Sequence, residues 1–197
     1  VKIPEGYFVS FEGEFKAQQA ATRRIIFLSI IVFVIMAGLL YSYFGSPVFV
    51  IQVIVDIPMA LIGGLLLTFV MTQNVSIATL VGFIAVAGIA VRNSVMLISH
   101  YLHLMRHEDE TFGRSMIERG TLERLVPVLM TALSAGIALV PLALAAGEPG
   151  KEILRPIAIV IVGGLITSPL LGLGVTPAIF YAFCGKHARK VVENKVP

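Results

Sequence analysis

The chain has 197 residues, 57% of them hydrophobic and 14% charged, with a mean hydropathy of +0.91 and a formal net charge of +3. Such a composition excludes an ordinary water-soluble domain. The basic residues behind the sequence pI of about 9.2 gather at the ends of apolar runs, where membrane topology puts them, and this excludes a nucleic-acid partner.

The bilayer core offers no water to backbone polar groups, and the apolar runs are far longer than strands need. The spans are therefore read as helices and the fold class as an all-α membrane protein. The single cysteine, Cys184, cannot form an internal disulfide and is read as a packing residue near the end of the last run. The first stretch lacks the pattern of a signal peptide and begins with Val1, so the chain is read as a piece of something longer.

Residues 1 to 14, VKIPEGYFVSFEGE, hold a Pro-Glu-Gly turn and then alternate through Tyr7, Val9 and Phe11, the pattern of a half-buried strand. One strand cannot fold alone, so it is expected to be the remnant of a water-soluble domain. A polar helical lead-in, FKAQQAATRR, follows it. The expected organisation is residues 1–20 as the end of that domain with its lead-in, 21–184 as the membrane segment and 185–197 as a basic tail.

Five apolar runs come next, at about 24–44, 48–72, 76–101, 125–146 and 156–183. Each is long enough to cross roughly 30 Å of hydrocarbon as a helix. The short joints GSP and QNV force the first three into antiparallel hairpins. The joint between the third and fourth, HLMRHEDETFGRSMIERGTLER, carries Arg106, Arg114, Arg119 and Arg124 among Phe112, Met116 and Ile117. It predicts a short amphipathic helix lying on the membrane surface. Its charge and that of the tail KHARKVVENK predict a cytoplasmic carboxyl terminus and, by the parity of the spans, an external amino terminus. Arg23 and Arg24 favour the opposite orientation and are outweighed by the two larger clusters.

Several features inside the spans are better read as structure than as chemistry. Gly164, Ser168 and Gly172 recur every four residues, a small-residue stripe for close helix packing. Pro58, Pro141, Pro169 and Pro177 bend or locally open helices. His100, His103 and His107 could share one helix face and hold a metal. A histidine-box enzyme needs several converging clusters, however, and His187 is the only other histidine, so interfacial polar residues are the preferred reading. No cofactor and no enzymatic activity are expected.

Arg92 and Asn93 are different, because they sit within an otherwise apolar span. A charge near the middle of a membrane costs at least roughly 2.5 to 3.5 kcal/mol and is seldom retained without a task. Arginine keeps its proton at physiological pH, so it serves as a fixed counter-charge and a carboxylate must titrate. The only acid within the spans is Asp56, at the depth of Arg92 when the hairpin is reflected about its turn. The sequence leaves their relative rotation open, and Asp56 stands as an intramembrane partner for Arg92 beside an acid elsewhere.

The stretches DIPMALIGGLLLTF, VGFIAVAGIAVRNSVMLISHY and ERLVPVLMTALSAGIALVPLALAAGEPGKEILRPIAIVIVGGLITSPLLGLGVTPAIFY follow the order and spacing of the last five spans of the resistance-nodulation-division (RND) efflux transporters. The resemblance covers nearly the whole chain and is greatest to the heavy-metal efflux branch, in the form LAAGEPGKEILRPIA and GGLITS, with the multidrug branch close behind. It implies proton-driven antiport in the bacterial inner membrane by a homotrimer working with a periplasmic adaptor and an outer-membrane channel.

Members of the family have two homologous halves, so the resemblance places this chain at the carboxyl end and implies that an amino-terminal part of the same pump is its partner. In the multidrug branch a lysine-asparagine pair on the tenth span meets aspartates on the fourth, joined by a threonine on the eleventh. Carried over by motif, Arg92 stands where that branch has lysine, Asn93 follows it, and Thr131 in VLMTALS takes the threonine's place. The alternatives carried forward are a multidrug or other solute exporter and a non-transporting remnant.

Overall fold

The computed structural model describes residues 12–73, 75–108 and 110–193. Its helices are α1 (Glu12–Phe44), α2 (Pro47–Met71), α3 (Ile77–His107), α4 (Arg114–Leu144) and α5 (Leu154–Ile179). A π-helical turn, Phe180–Cys184, leads from α5 without a break into the short α6 (Gly185–Glu193). Among the described residues five helices are long and apolar enough to cross a membrane, the last being α5 with its π-helical extension to Cys184. No strand occurs among the described residues. The described residues divide into two compact units, one up to Met36 and the other from Ala37, and the packing that follows belongs to the second.

One sequence expectation is corrected, and another falls largely outside the described residues. Of the strand expected over residues 1–14, positions 1–11 lie outside the described residues, and the chain is already helical from Glu12. Residues 14 to 21, EFKAQQAA, are mostly strong helix formers, which carries the lead-in helix back to this point. The separate surface helix between the third and fourth spans does not form. Its sequence is divided between the last turns of α3, which ends at His107, a short joint, and the first turns of α4, which starts at Arg114. Gly113, with extended backbone, starts α4, and nothing between it and the apolar run interrupts the helix; Pro127 is accommodated inside it. The short amphipathic helix is instead α6, at the tail.

The turns follow the local chemistry. Gly45 takes a positive φ of 68°, and Pro47 opens α2 in the first helical turn, where its missing N–H costs nothing. The α3–α4 turn is fastened by Arg119, which bonds Glu108 (2.6 Å), Glu123 (2.8 Å) and Glu110. Across the other hairpin, Arg155 Nε on α5 donates to Ala143 O on α4 at 3.3 Å.

Within the second unit α5 packs against α2, α3 and α4, and α2 with α5 is the most extensive pair. In a bilayer the hydrophobic effect does not drive helices together, so close packing of small residues must. Gly63 and Gly163 supply it: a Cβ built on either would overlap the carbonyl oxygen of the other. Around this crossing Ala60, Val86, Ala90 and Val160 form a buried cluster, and Gly164 admits Val86 of α3. The stripe expected from Gly164, Ser168 and Gly172 is therefore only partly a packing surface. Gly172 has no atom within 4 Å of its missing Cβ, and Gly163, outside that stripe, makes the closest approach.

A Gly163→Val replacement is expected to lower stability by about 1–3 kcal/mol or more, because backbone and not a movable side chain fills the space. Gly136→Ala, where the space is open, is expected to be neutral or slightly stabilising. Thermal unfolding of the detergent-solubilised protein, followed by circular dichroism, compares the two.

Candidate functional site

The α2–α5 crossing places polar residues along one seam. Gln52 and Asp56, four residues apart on α2, lie on one helix face. Both are buried, Asp56 being 5% exposed and Gln52 2%. Gln52 Nε2 donates to the carbonyl oxygen of Thr176 on α5 at 2.9 Å, and its Oε1 accepts from Cys184 Sγ, also at 2.9 Å. The cysteine is thus part of a polar link and not merely a packing residue. Pro177 leaves Leu173 O without the usual i→i−4 donor, and the π-helical turn follows it, a common form of local helix opening.

Asp56 receives the Ser94 hydroxyl of α3 on Oδ2 at 2.6 Å. Its other oxygen, Oδ1, is buried without a hydrogen bond, and the hydroxyl of Thr176, a residue of the same cavity lining, is likewise unpartnered. Asn93 Nδ2 reaches Ser168 Oγ of α5 at 3.4 Å. Asp56, Ser94, Thr176, Asn93, Ser168 and Arg124 line one cavity, whose volume of about 20 Å³ is enough for one water molecule. From Arg124 the polar groups continue outward: its Nη2 lies 3.4 Å from His100 Nδ1, and His100 Nε2 lies 2.8 Å from Glu123.

The four residues singled out in the sequence separate here. Asp56 and Arg92 are not brought together, although Ser94, two residues from Arg92, holds the carboxyl. On a helix two positions differ by about 200° of rotation. Ser94 therefore faces the core while Arg92 is exposed and pairs with no described residue. Asn93 lies between, half-buried. Thr131 on α4 is exposed, and its hydroxyl donates to its own helix at Val128 O, 2.9 Å away. The three histidines do not converge either: His103 and His107 stack with ring centres 4.5 Å apart, while His100 turns to Glu123. Ser94, Thr176 and Gln52 were missed in the sequence because a hydroxyl or amide in an apolar run bonds its own helix as readily as a neighbour.

The sequence profile of the AcrB/AcrD/AcrF family matches residues 1–184. The nickel-cobalt-cadmium resistance protein NccA of Alcaligenes xylosoxydans xylosoxydans is 40% identical over 197 residues, all of this chain and 18% of that protein. The nickel and cobalt resistance protein CnrA of Cupriavidus metallidurans is 39% identical over 179 residues, 91% of this chain and 16% of CnrA. A crystal structure of a heavy metal efflux pump superposes with a TM-score of 0.75 at 35% identity, covering 87% of this chain and 16% of the pump chain. The chain thus spans less than a fifth of the relatives it matches.

Replacing Gln52 with Ala is expected to cost about 1–3 kcal/mol, because it strands Thr176 O and the cysteine in a buried seam. It should also make Cys184 more reactive toward a membrane-permeant maleimide in the folded protein. Ser134→Ala, whose hydroxyl is exposed and bonds only Met130 O, is expected to change neither quantity.

Proposed function

The chain belongs to the AcrB/AcrD/AcrF family, and from that premise we propose that it is the carboxyl-terminal membrane segment of a proton-driven RND efflux pump exporting heavy-metal cations. The metal-resistance names of NccA and CnrA and the superposition on a heavy metal efflux pump support the substrate class. In this reading it lies in the inner membrane of a bacterium with residues 1–20 periplasmic and the tail after 185 cytoplasmic. The amino-terminal part of the same pump completes it, the pump is a homotrimer, and a periplasmic adaptor and an outer-membrane channel complete the export path. The orientation is supported by the basic clusters of the α3–α4 turn and of α6.

Arg92, Asn93 and Thr131 are the passive side of the proton relay. The observation that carries this assignment is the exposure of Arg92: a cation in the middle of a span, with no described partner, faces away from the packed seam. Such a charge in hydrocarbon would be costly, so its surroundings in the working pump must supply a counter-charge. A carboxylate of the amino-terminal part does so in the proposed relay. Ionised, that acid is paired with Arg92; on taking a proton it loses the attraction, and the guanidinium is released to move. Asn93 and Thr131 offer neutral hydrogen bonds on either side of the exchange.

Three measurements test the reading. A cysteine at Gly113 should be shielded from impermeant thiol reagents added outside intact cells, while one at Glu12 should be labelled; the reverse pattern would invert the orientation. Proteoliposomes holding residues 1–197 alone should show no gradient-dependent flux of zinc, nickel or cobalt, since the titrating acid is assigned elsewhere. In the complete pump Arg92→Ala should abolish efflux at an undiminished level of folded protein, and Arg92→Lys should retain part of it. Full transport by Arg92→Ala would remove Arg92 from the mechanism.

A further inference from the structure

We propose that the carboxyl of Asp56 is a proton-binding site internal to this chain, held by the hydroxyl of Ser94, with that of Thr176 near it, and served by the cavity that they line. It is distinct from the relay assigned to Arg92 and does not depend on transport.

The geometry carries the inference in three steps. An acid inside a membrane span is a functional candidate by default, because a purely structural role would be filled at lower cost by an uncharged group. Asp56 lies within α2, 5% exposed, with one oxygen bonded and one left over. Second, the polar groups near the carboxyl from the packed helices include two hydroxyls. Ser94 Oγ donates to Oδ2, and Thr176 Oγ, which lines the same cavity and has no other partner, is free to donate to a carboxylate or to accept from a carboxylic acid by rotating its hydrogen. The same pocket therefore accommodates the group with or without its proton, and Arg124, the one guanidinium among the cavity's lining residues, forms no ion pair with it. Third, the cavity holds room for a water molecule, which supplies the proton as hydronium and takes it back. An O–H bond of hydronium breaks as the carboxyl O–H bond forms, leaving water, and release reverses the two.

The charged and titratable groups around the site are few. From α3 the facing side chains, Ser94 and Asn93, are neutral, and Arg92 turns away. From α5 and the π-helical turn come Thr176 and Ser168, with Cys184 engaged by Gln52. From α4 comes Arg124, which lines the cavity and connects through His100 to Glu123 at the exposed end. This file of polar side chains is the route by which water reaches the cavity. Because Ser94 adjoins Asn93 and Arg92 on α3, the state of Asp56 is felt by the helix that carries the relay cation.

Dicyclohexylcarbodiimide, an apolar reagent that adds whole to a protonated carboxyl within a membrane, tests the site. The 197-residue chain in lipid vesicles is treated across a pH series and its peptides are read by mass spectrometry. The adduct is expected on Asp56, to disappear as pH rises, and to be indifferent to sodium ions. Asp56→Asn should lose it, and Ser94→Ala should keep it while moving the midpoint of its pH dependence. If Asp56→Asn fails to accumulate, the wild-type profile and Ser94→Ala decide. An unmodified Asp56 at every pH in folded protein, or labelling that does not change with pH, would overturn the proposal. Protection by sodium would assign the site to a metal cation instead.

Discussion

Everything in the packed part of this chain depends on how closely α2 and α5 approach at Gly63 and Gly163. Two helices in lipid gain little from hiding apolar surface, because the lipid is as apolar as the side chains. What they gain is contact, and contact between backbones requires that no Cβ intervene at the crossing. With that distance fixed, Gly64 and Gly82 press on Val160 and Gly164 on Val86, so α3 is drawn against both. Thr167 Oγ1 adds a hydrogen bond to Ala60 O across the same crossing, at 3.0 Å.

The polar seam is a consequence of that proximity. Gln52 can reach the Thr176 carbonyl, and Ser94 can reach Asp56, only because the three helices stand close. In hydrocarbon each of these groups would otherwise be unsatisfied, at a cost of several kcal/mol. The seam also links two kinds of irregularity. The π-helical turn after Pro177 lies one turn from Thr176, at the position where Gln52 enters and Cys184 closes the link. Beyond it Phe49, Phe180 and Tyr101 pack ring on ring, with Phe49 and Phe180 centres 5.9 Å apart and Phe180 and Tyr101 centres 4.8 Å apart. The seam thus has an aromatic end and a polar middle with a small cavity.

The spans were legible in the sequence because bilayer thickness imposes a length that no other signal imitates: all five apolar runs became helices, with short joints between Phe44 and Pro47 and between Met71 and Ile77. Their ends were less legible, since a helix continues as far as its backbone allows and not as far as its apolar residues run. α3 therefore reaches His107, and α4 begins at Arg114, in stretches whose mixture of arginines and apolar residues looked like a separate surface helix. Rotation was not legible at all. Depth counted from the turn put Asp56 level with Arg92, and the level was nearly right, for Asp56 meets Ser94. Which face of α3 turned inward depended on glycine contacts between helices distant in sequence, such as Gly164 with Val86, and no local periodicity records those.

That rotation gives α3 its character. Two residues on one turn serve opposite sides: Ser94 holds a buried acid against α2, and Arg92 presents a cation outward. Asn93, between them, is tied to Ser168 of α5. A helix so arranged cannot turn toward one side without loosening the other, because about 200° of rotation separates the two groups and the backbone joining them is rigid on that scale. A small rotation or sliding of α3 that followed a change at Arg92 would lengthen the 2.6 Å bond from Ser94 to Asp56 and the 3.4 Å contact of Asn93 with Ser168 together. A change at Asp56 would act on Arg92 through the same turn. Linkage requires that this influence be reciprocal in free energy, so two proton sites on either side of α3 would be coupled without any side chain passing between them.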